Sequence, residues 1–206
     1  GILRGTLKLT GAREQPDIDV DLAGQSLRWD DWKAGTLRAR GRLPWRAGKS
    51  GALSIDGEDV DLGLAFSRLH LDARGAVEAL RVEGDGETDI GRIDLAGDLA
   101  KRGAQWTGAL NALRFAPATG PAWALQAPAA FTATTTSPMR LRIASSCFAT
   151  SDRSGSLCAD VDWPTRADVR GKALPTALLA PYLPEREDRR AWRLRGVADL
   201  DAQIRP

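Results

Sequence analysis

The sequence predicts an all-β fold: a curved antiparallel meander of strands that forms an elongated gutter, or taco, with an apolar interior and one short helix near residues 175–182. Three observations lead to this fold. Apolar and charged residues alternate over many short runs, turn-forming residues separate the runs, and helical spacing is nearly absent. Because successive side chains of a strand point to opposite faces, each run places aliphatic groups on one face and charges on the other.

The alternation recurs along the whole chain. Clear runs are Asp17–Leu22, Thr36–Leu43, Arg92–Leu99 and Met139–Ile143, and a last run follows from Leu194 to Ile204. Each run puts aliphatic residues at every second position, which is the period of a half-buried strand. Runs of this kind recur along the chain with turn-forming residues between them, which predicts hairpin connections and therefore antiparallel neighbours.

Clusters of glycine and acidic residues are predicted to be the turns between strands. Asp56–Asp59 and Gly84–Gly86 are two such clusters. On this interpretation Val60–Phe66 belongs to the next strand, with Leu62 and Leu64 on its apolar face. The acidic cluster lacks the ligand spacing of a calcium-binding loop, which favours a solvated turn over a calcium site.

Only one stretch has helical spacing. Leucines near Pro175–Tyr182 predict a turn or two of helix that ends before Pro184, and a mixed charge run follows. The chain begins at Gly1, and its only methionine is Met139, so we expect residues 1–206 to be one fragment of a longer repetitive protein. No apolar stretch approaches the roughly 18 residues that a membrane-spanning helix needs.

Two cysteines, Cys147 and Cys158, flank a turn signal at Ser151–Gly155. Strands on either side of this turn would bring the thiols opposite each other. A disulfide there would stabilise the fold by about 3 kcal/mol on the chain-entropy argument, and it would indicate an oxidising compartment. The alternative is a pair of buried reduced thiols.

The residues offer no recognisable catalytic or cofactor site. His70 is the only histidine, so zinc lacks a full ligand set, and its place on the charged side of a strand favours a surface role. The net charge is +2 with arginines and aspartates interleaved, and the arginines of Thr36–Leu43 favour a solvated strand face over a nucleic-acid surface. We therefore expect no enzyme activity, no metal, no cofactor and no nucleic-acid partner.

The aliphatic face of an open sheet must be covered. With almost no helix to cover it, curling of the sheet on itself is favoured, and small inner residues such as Ala39, Gly41 and Gly97 leave room for an apolar ligand. The candidate groove residues are Leu37, Leu53, Ile55, Leu62, Leu64, Phe66, Leu69, Leu71, Leu80, Val82, Ile93, Leu95, Leu99, Leu110, Leu141 and Ile143.

Several segments resemble the central periplasmic part of the TamB family. The resemblance runs from about Gly5 to Ile204 and is firmest from His70 to Pro184. The segments that carry it are Leu69–Gly75, Gly97–Leu99, Trp106–Leu110, Pro121–Leu125, Cys147, Leu157–Cys158 and Leu174–Glu185.

The resemblance implies a parent protein anchored in the inner membrane of a Gram-negative bacterium and extending through the periplasm. It implies a hydrophobic groove for phospholipid acyl chains and, for the parent, a TamA-type outer-membrane barrel as partner in outer-membrane biogenesis. A sixteen-carbon chain in water costs about 12 kcal/mol, at roughly 0.8 kcal/mol per methylene, which an apolar groove would largely remove. The competing hypothesis is a chaperone-like scaffold whose strand edges hold nascent outer-membrane β-strands.

Overall fold

A computed structural model describes residues 1–12, 15–30, 32–45, 48–134, 136, 139–176, 192 and 194–205. Within these described residues, fourteen strands make one antiparallel sheet, which confirms the predicted all-β class. The strands are β1 (Ile2–Ala12), β2 (Gln15–Trp29), β3 (Trp32–Leu43), β4 (Gly51–Asp61), β5 (Ala65–Ala76), β6 (Ala79–Thr88), β7 (Gly91–Arg102), β8 (Gln105–Pro117), β9 (Trp123–Leu125), β10 (Ala129–Thr134), β11 (Arg140–Thr150), β12 (Ser156–Trp163), β13 (Arg166–Pro175) and β14 (Val197–Ile204).

The sheet is a meander, as the sequence predicted. Each strand pairs with the next strand along the chain, except that β9 does not pair with β10. Among the described strands, β1 and β14 are the two edges. One lane is interrupted: β9 and β10 lie end to end between β8 and β11, because both pair with these same two neighbours. Pro128, which has no N–H to donate, lies in the break between them.

Two predicted turns are wrong. Asp56–Asp59 lies inside β4 and Gly84–Gly86 lies inside β6, while the turns fall at residues 62–64 and 89–90. Leu62 and Leu64 consequently sit in a turn and not in a strand. The physical reason is that glycine also occurs inside strands, where a neighbouring group packs closely against the backbone.

The strands kink near the 62–64 turn without losing their apolar face. Ser26 on β2 and Asp59 on β4 both have a φ of 51°. The side chain of Leu27 consequently lies over Gly24, three residues earlier, and that of Val60 lies over Gly57. Apolar residues on both sides of the kink therefore share one face.

The apolar face is closed at one margin. Leu43, at the end of β3, packs in one cluster with Val77 and Leu80, although β3 and β6 are three strands apart, which is about 14 Å across a flat sheet at roughly 4.8 Å per strand. Trp45, in the connection that follows β3, has its ring centroid 6.0 Å from that of Trp106 on β8. These contacts do not contradict the predicted gutter, and its curvature stays a prediction.

None of the described residues lies in an α-helix. The helix predicted at 175–182 falls, beyond Thr176, outside the described residues, and Pro175 is the last residue of β13. A search of the described part of the chain finds no helix with the length and apolar character needed to cross a membrane.

Candidate functional site

The candidate site is the continuous apolar face of the sheet. In an antiparallel pair, directly opposed residues lie on the same face. One row across five lanes consists of Ala39, Ile55, Leu71, Gly84 and Leu95. Similar rows continue through the later strands to β14, so a single aliphatic surface spans the whole sheet.

Most of the predicted groove residues lie on this face. Leu62 and Leu64 are the exceptions, because they are in the 62–64 turn. The pairing brings together Leu37, Leu53, Ile55, Phe66, Leu69, Leu71, Leu80, Val82, Ile93, Leu95, Leu99, Leu110, Leu141 and Ile143.

Glycines let large side chains lie flat on this face. A Cβ placed on Gly84 would be 2.5 Å from Cδ2 of Leu71, and one on Gly86 would be 2.7 Å from Cδ1 of Phe66. The space over each glycine is therefore already filled by the side chain of the neighbouring lane. At these two positions the aliphatic floor is therefore level with the side chains of Leu71 and Phe66.

This floor is not a sealed core. Its central residues, such as Leu71 and Leu95, keep partial exposure, and at the β1 edge Leu7 is 56% exposed. Leu71 and Leu95 are therefore not sealed from solvent.

One cluster on this face is closed. It consists of Leu43, Val77 and Leu80, which are 7%, 3% and 6% exposed, and is called the Leu80 cluster below. Trp45, Ala73, Val82 and Leu99 pack against it. The cluster lies at the margin of the sheet where β6 begins and β7 ends.

Two tryptophans and a lysine next to the Leu80 cluster were not among the predicted site residues. Trp45 contacts Trp106, and Nζ of Lys101 lies 5.5 Å from the centroid of the Trp45 ring. The sequence does carry a signal for Lys101, because it continues the alternation of Ile93 and Leu99 on the apolar side. The two tryptophans are too far apart in sequence for any local pattern to join them.

The opposite face is charged and solvated. Its ion pairs link neighbouring strands, for example Arg40 to Asp21 at 3.4 Å and Arg166 to Asp160 at 3.0 Å. All of these side chains are more than a third exposed, so each pair contributes at most about 1 kcal/mol. Acidic and basic groups alternate across this face and give it no single sign of charge.

His70 lies on this charged face. Its Nδ1 is 2.7 Å from Oδ1 of Asp56, and its Nε2 is 3.6 Å from Asp72. The hydrogen bond with Asp56 raises the pKa of the imidazole above 6.5, with smaller contributions from nearby carboxylates. The contacts give His70 a place in a surface ion-pair network, as its position in the sequence indicated.

Cys147 and Cys158 form the disulfide that their spacing predicted. They are directly opposed on β11 and β12, with Cα atoms 4.1 Å apart. The connecting turn is ordered by Asp152, whose carboxylate accepts hydrogen bonds from the backbone N–H of Ser154 at 3.0 Å and from its hydroxyl at 2.7 Å. These bonds lower the pKa of Asp152 to about 2. Phe148, next in sequence, belongs to the apolar face, so the disulfide lies on the charged face.

Together these features define a class: an antiparallel β-sheet protein with an extended, partly exposed aliphatic face and a solvated, charged outer face. The family model described as "TamB, N-terminal domain" matches residues 1–205, and the chain belongs to the TamB family. No solved structure matches the chain. The resemblance seen in the sequence is thus confirmed at the level of the family, while the expected central position within the parent stays a prediction.

Proposed function

We propose that this chain is one section of a hydrophobic groove that carries phospholipid acyl chains through the periplasm, between the inner and outer membranes. On this proposal residues 1–206 are a fragment of a longer, non-enzymatic parent protein. The parent is anchored in the inner membrane of a Gram-negative bacterium, supports outer-membrane biogenesis and works with a TamA-type barrel. Membership of the TamB family supports this assignment.

The observation that carries the proposal is the partly exposed aliphatic face, which continues from strand to strand across the sheet. Contact between an acyl chain and such a face is non-directional and scales with the apolar area removed from water. A chain that slides along equivalent rows therefore meets no deep binding site that would hold it. The flat side chains over Gly84 and Gly86 support this sliding, because they leave no steps in the floor.

Charges placed on the floor test the proposal in cells that carry the full-length parent. We expect Leu95→Arg and Ile143→Asp to reduce the amount of phospholipid that co-purifies with the protein and to weaken the outer membrane. Ala130→Arg is the control. Residue 130 is exposed and directly precedes Phe131, which lies on the apolar face, so residue 130 itself lies on the opposite, charged face. Folded floor variants with normal lipid and an intact outer membrane would reject the groove.

A second candidate function is a scaffold that holds nascent outer-membrane β-strands. The observation in its favour is the open β1 edge, where Leu3, Leu7 and Leu9 are 58%, 56% and 59% exposed. Such an edge offers unpaired backbone groups to an added strand. A photo-crosslinker at Thr6 on β1 would then capture outer-membrane barrel peptides, whereas the groove proposal expects lipid adducts at Leu95 and no barrel peptides at Thr6.

A further inference from the structure

Lys101 stands out on the apolar face. The pairing of β7 with β8 places it opposite Trp106, in the column of β7 that also holds Ile93, Leu95 and Leu99. Among the described strand positions it is the one ionisable side chain that the pairing assigns to this face. An ammonium group at the margin of an aliphatic surface is costly unless something there uses its charge.

The ammonium group of Lys101 is held by aromatic rings and not by an acid. Its Nζ lies 5.5 Å from the centroid of the Trp45 ring, and the Trp45 ring is itself braced by Trp106. No carboxylate of the described residues lies within ion-pair distance of it. Asp98 points to the charged face, where it accepts a hydrogen bond from Asn111. The cation therefore keeps its donors for a ligand.

The nearest turn carries a carboxylate that does not neutralise Lys101. The backbone N–H of Lys101 donates to the carbonyl oxygen of Val77 at 2.8 Å, which brings the 77–78 turn alongside the end of β7. Glu78 follows Val77 in that turn, yet its buried Oε2 has no hydrogen-bond partner. The turn thus closes the margin of the floor without quenching the positive charge.

The geometry points to a headgroup site: Lys101, fixed against Trp45 and Trp106, binds the anionic head of an amphiphile whose acyl chain lies on the adjoining floor. This inference rests on the proposed groove function and adds the chemistry of the head, a phosphate or carboxylate oxygen. Charge-assisted hydrogen bonds are stronger beside an apolar surface than in open water. The aromatic rings hold the cation in place before the ligand arrives, which limits the entropy lost on binding.

Two fluorescent probes with the same tail test this site in the 206-residue chain. They are cis-parinaric acid, which carries a carboxylate at pH 8, and its uncharged methyl ester. We expect the chain to bind the acid about two- to fivefold more tightly than the ester at low salt, which is the size of one partly exposed charge contact. Lys101→Met should make the two affinities equal by weakening only the acid, and Lys101→Arg should keep the preference.

Lys8→Met is the matched control. Lys8 is exposed and lies on the charged face, directly opposite Asp19 on the neighbouring strand, so its replacement should leave both affinities unchanged. Inorganic phosphate at millimolar concentration should not displace the acid, since it has no tail to bury. If phosphate displaces the acid from the unsubstituted chain but not from Lys101→Met, Lys101 binds free anions, and the amphiphile assignment is overturned.

The two proposals fail in different ways in this assay. If neither probe binds, the groove function itself is wrong. If both bind the unsubstituted chain equally well, the groove stands and the headgroup site is rejected. If Lys101→Met does not fold, the unsubstituted chain still decides: the acid-to-ester preference must fall toward one as salt screens the contact, and a salt-independent preference overturns the inference.

Discussion

Arginine in place of Leu95 separates an open groove from a sealed core. Leu95 is half-buried on the floor, beside Gly84 on one lane and Leu113 on the other. Full burial of a leucine contributes about 1.5–3 kcal/mol. Because Leu95 keeps part of its surface exposed, its replacement loses less than the full value, and the guanidinium at the end of the longer arginine side chain can reach water. We expect Leu95→Arg to lower the free energy of unfolding by about 1–2 kcal/mol.

Leu80→Arg is the internal contrast, because Leu80 belongs to the closed Leu80 cluster and is 6% exposed. Removing its side chain opens a cavity, and the charge is then buried without a partner. The expected loss is about 4 kcal/mol or more, enough to unfold a marginal sheet. Urea titrations followed by far-ultraviolet circular dichroism give both values. Equal and large losses at the two positions would refute the open floor.

Three further predictions concern the turn, the charged face and the floor. Replacing Cys147 and Cys158 by serine should lower the free energy of unfolding by about 3 kcal/mol in urea titrations, and an equal midpoint for both proteins would contradict this. The pKa of His70, the single histidine, should lie above 6.5 by NMR and return toward 6.5 in Asp56→Asn. Because the pKa is raised in the folded state, the contribution of His70 to stability is present at low pH and is lost as pH rises through that pKa. Gly84→Ala should fold with a small loss of stability, because the flexible end of Leu71 must move and the backbone carbonyl oxygen of His70, 3.0 Å from the added Cβ, must give slightly. The displaced Leu71 should weaken the binding of acyl probes in fluorescence titrations, and unchanged binding would contradict this.

The alternation in the sequence was sufficient to predict the sheet and its two faces. Asp17–Leu22 and Arg92–Leu99 lie inside β2 and β7, and their aliphatic residues share the apolar face as the two-residue period requires. The alternation also constrains how neighbouring strands align, because shifting one strand by one residue would move all its aliphatic side chains to the charged face. The disulfide was predictable because its turn is encoded locally, in Ser151–Gly155.

Strand ends were harder to predict because glycine has two roles. In Gly84–Gly86 the glycines look like a turn, yet they lie in β6 and receive the side chains of Leu71 and Phe66 from the next lane. That role depends on a neighbour thirteen or twenty residues away, so no local pattern reveals it. The same limitation moved Leu62 and Leu64 from a predicted strand into a turn.

The closed margin of the groove could not be read from the sequence at all. Trp45 lies in the connection after β3, and its contact with Trp106 on β8 depends on the path of that connection across the assembled sheet. The alternation along β7 could have placed Lys101 on the apolar face. Its contact with the Trp45 ring, however, could not be predicted from the sequence. Contacts of this kind arise from the three-dimensional shape and not from spacing.

The most direct test of the account compares three consecutive residues of β7 in the full-length parent. A photo-crosslinking amino acid is placed in turn at Ile93, Asp94 and Leu95, and the adducts formed in living cells are identified by mass spectrometry. Ile93 and Leu95 belong to the floor. Asp94 lies on the charged face, directly opposite Asp85 on β6, and forms an ion pair with Arg92. The account predicts phospholipid adducts at Ile93 and Leu95 and none at Asp94. Peptide adducts alone, or equal lipid adducts at all three residues, would contradict it.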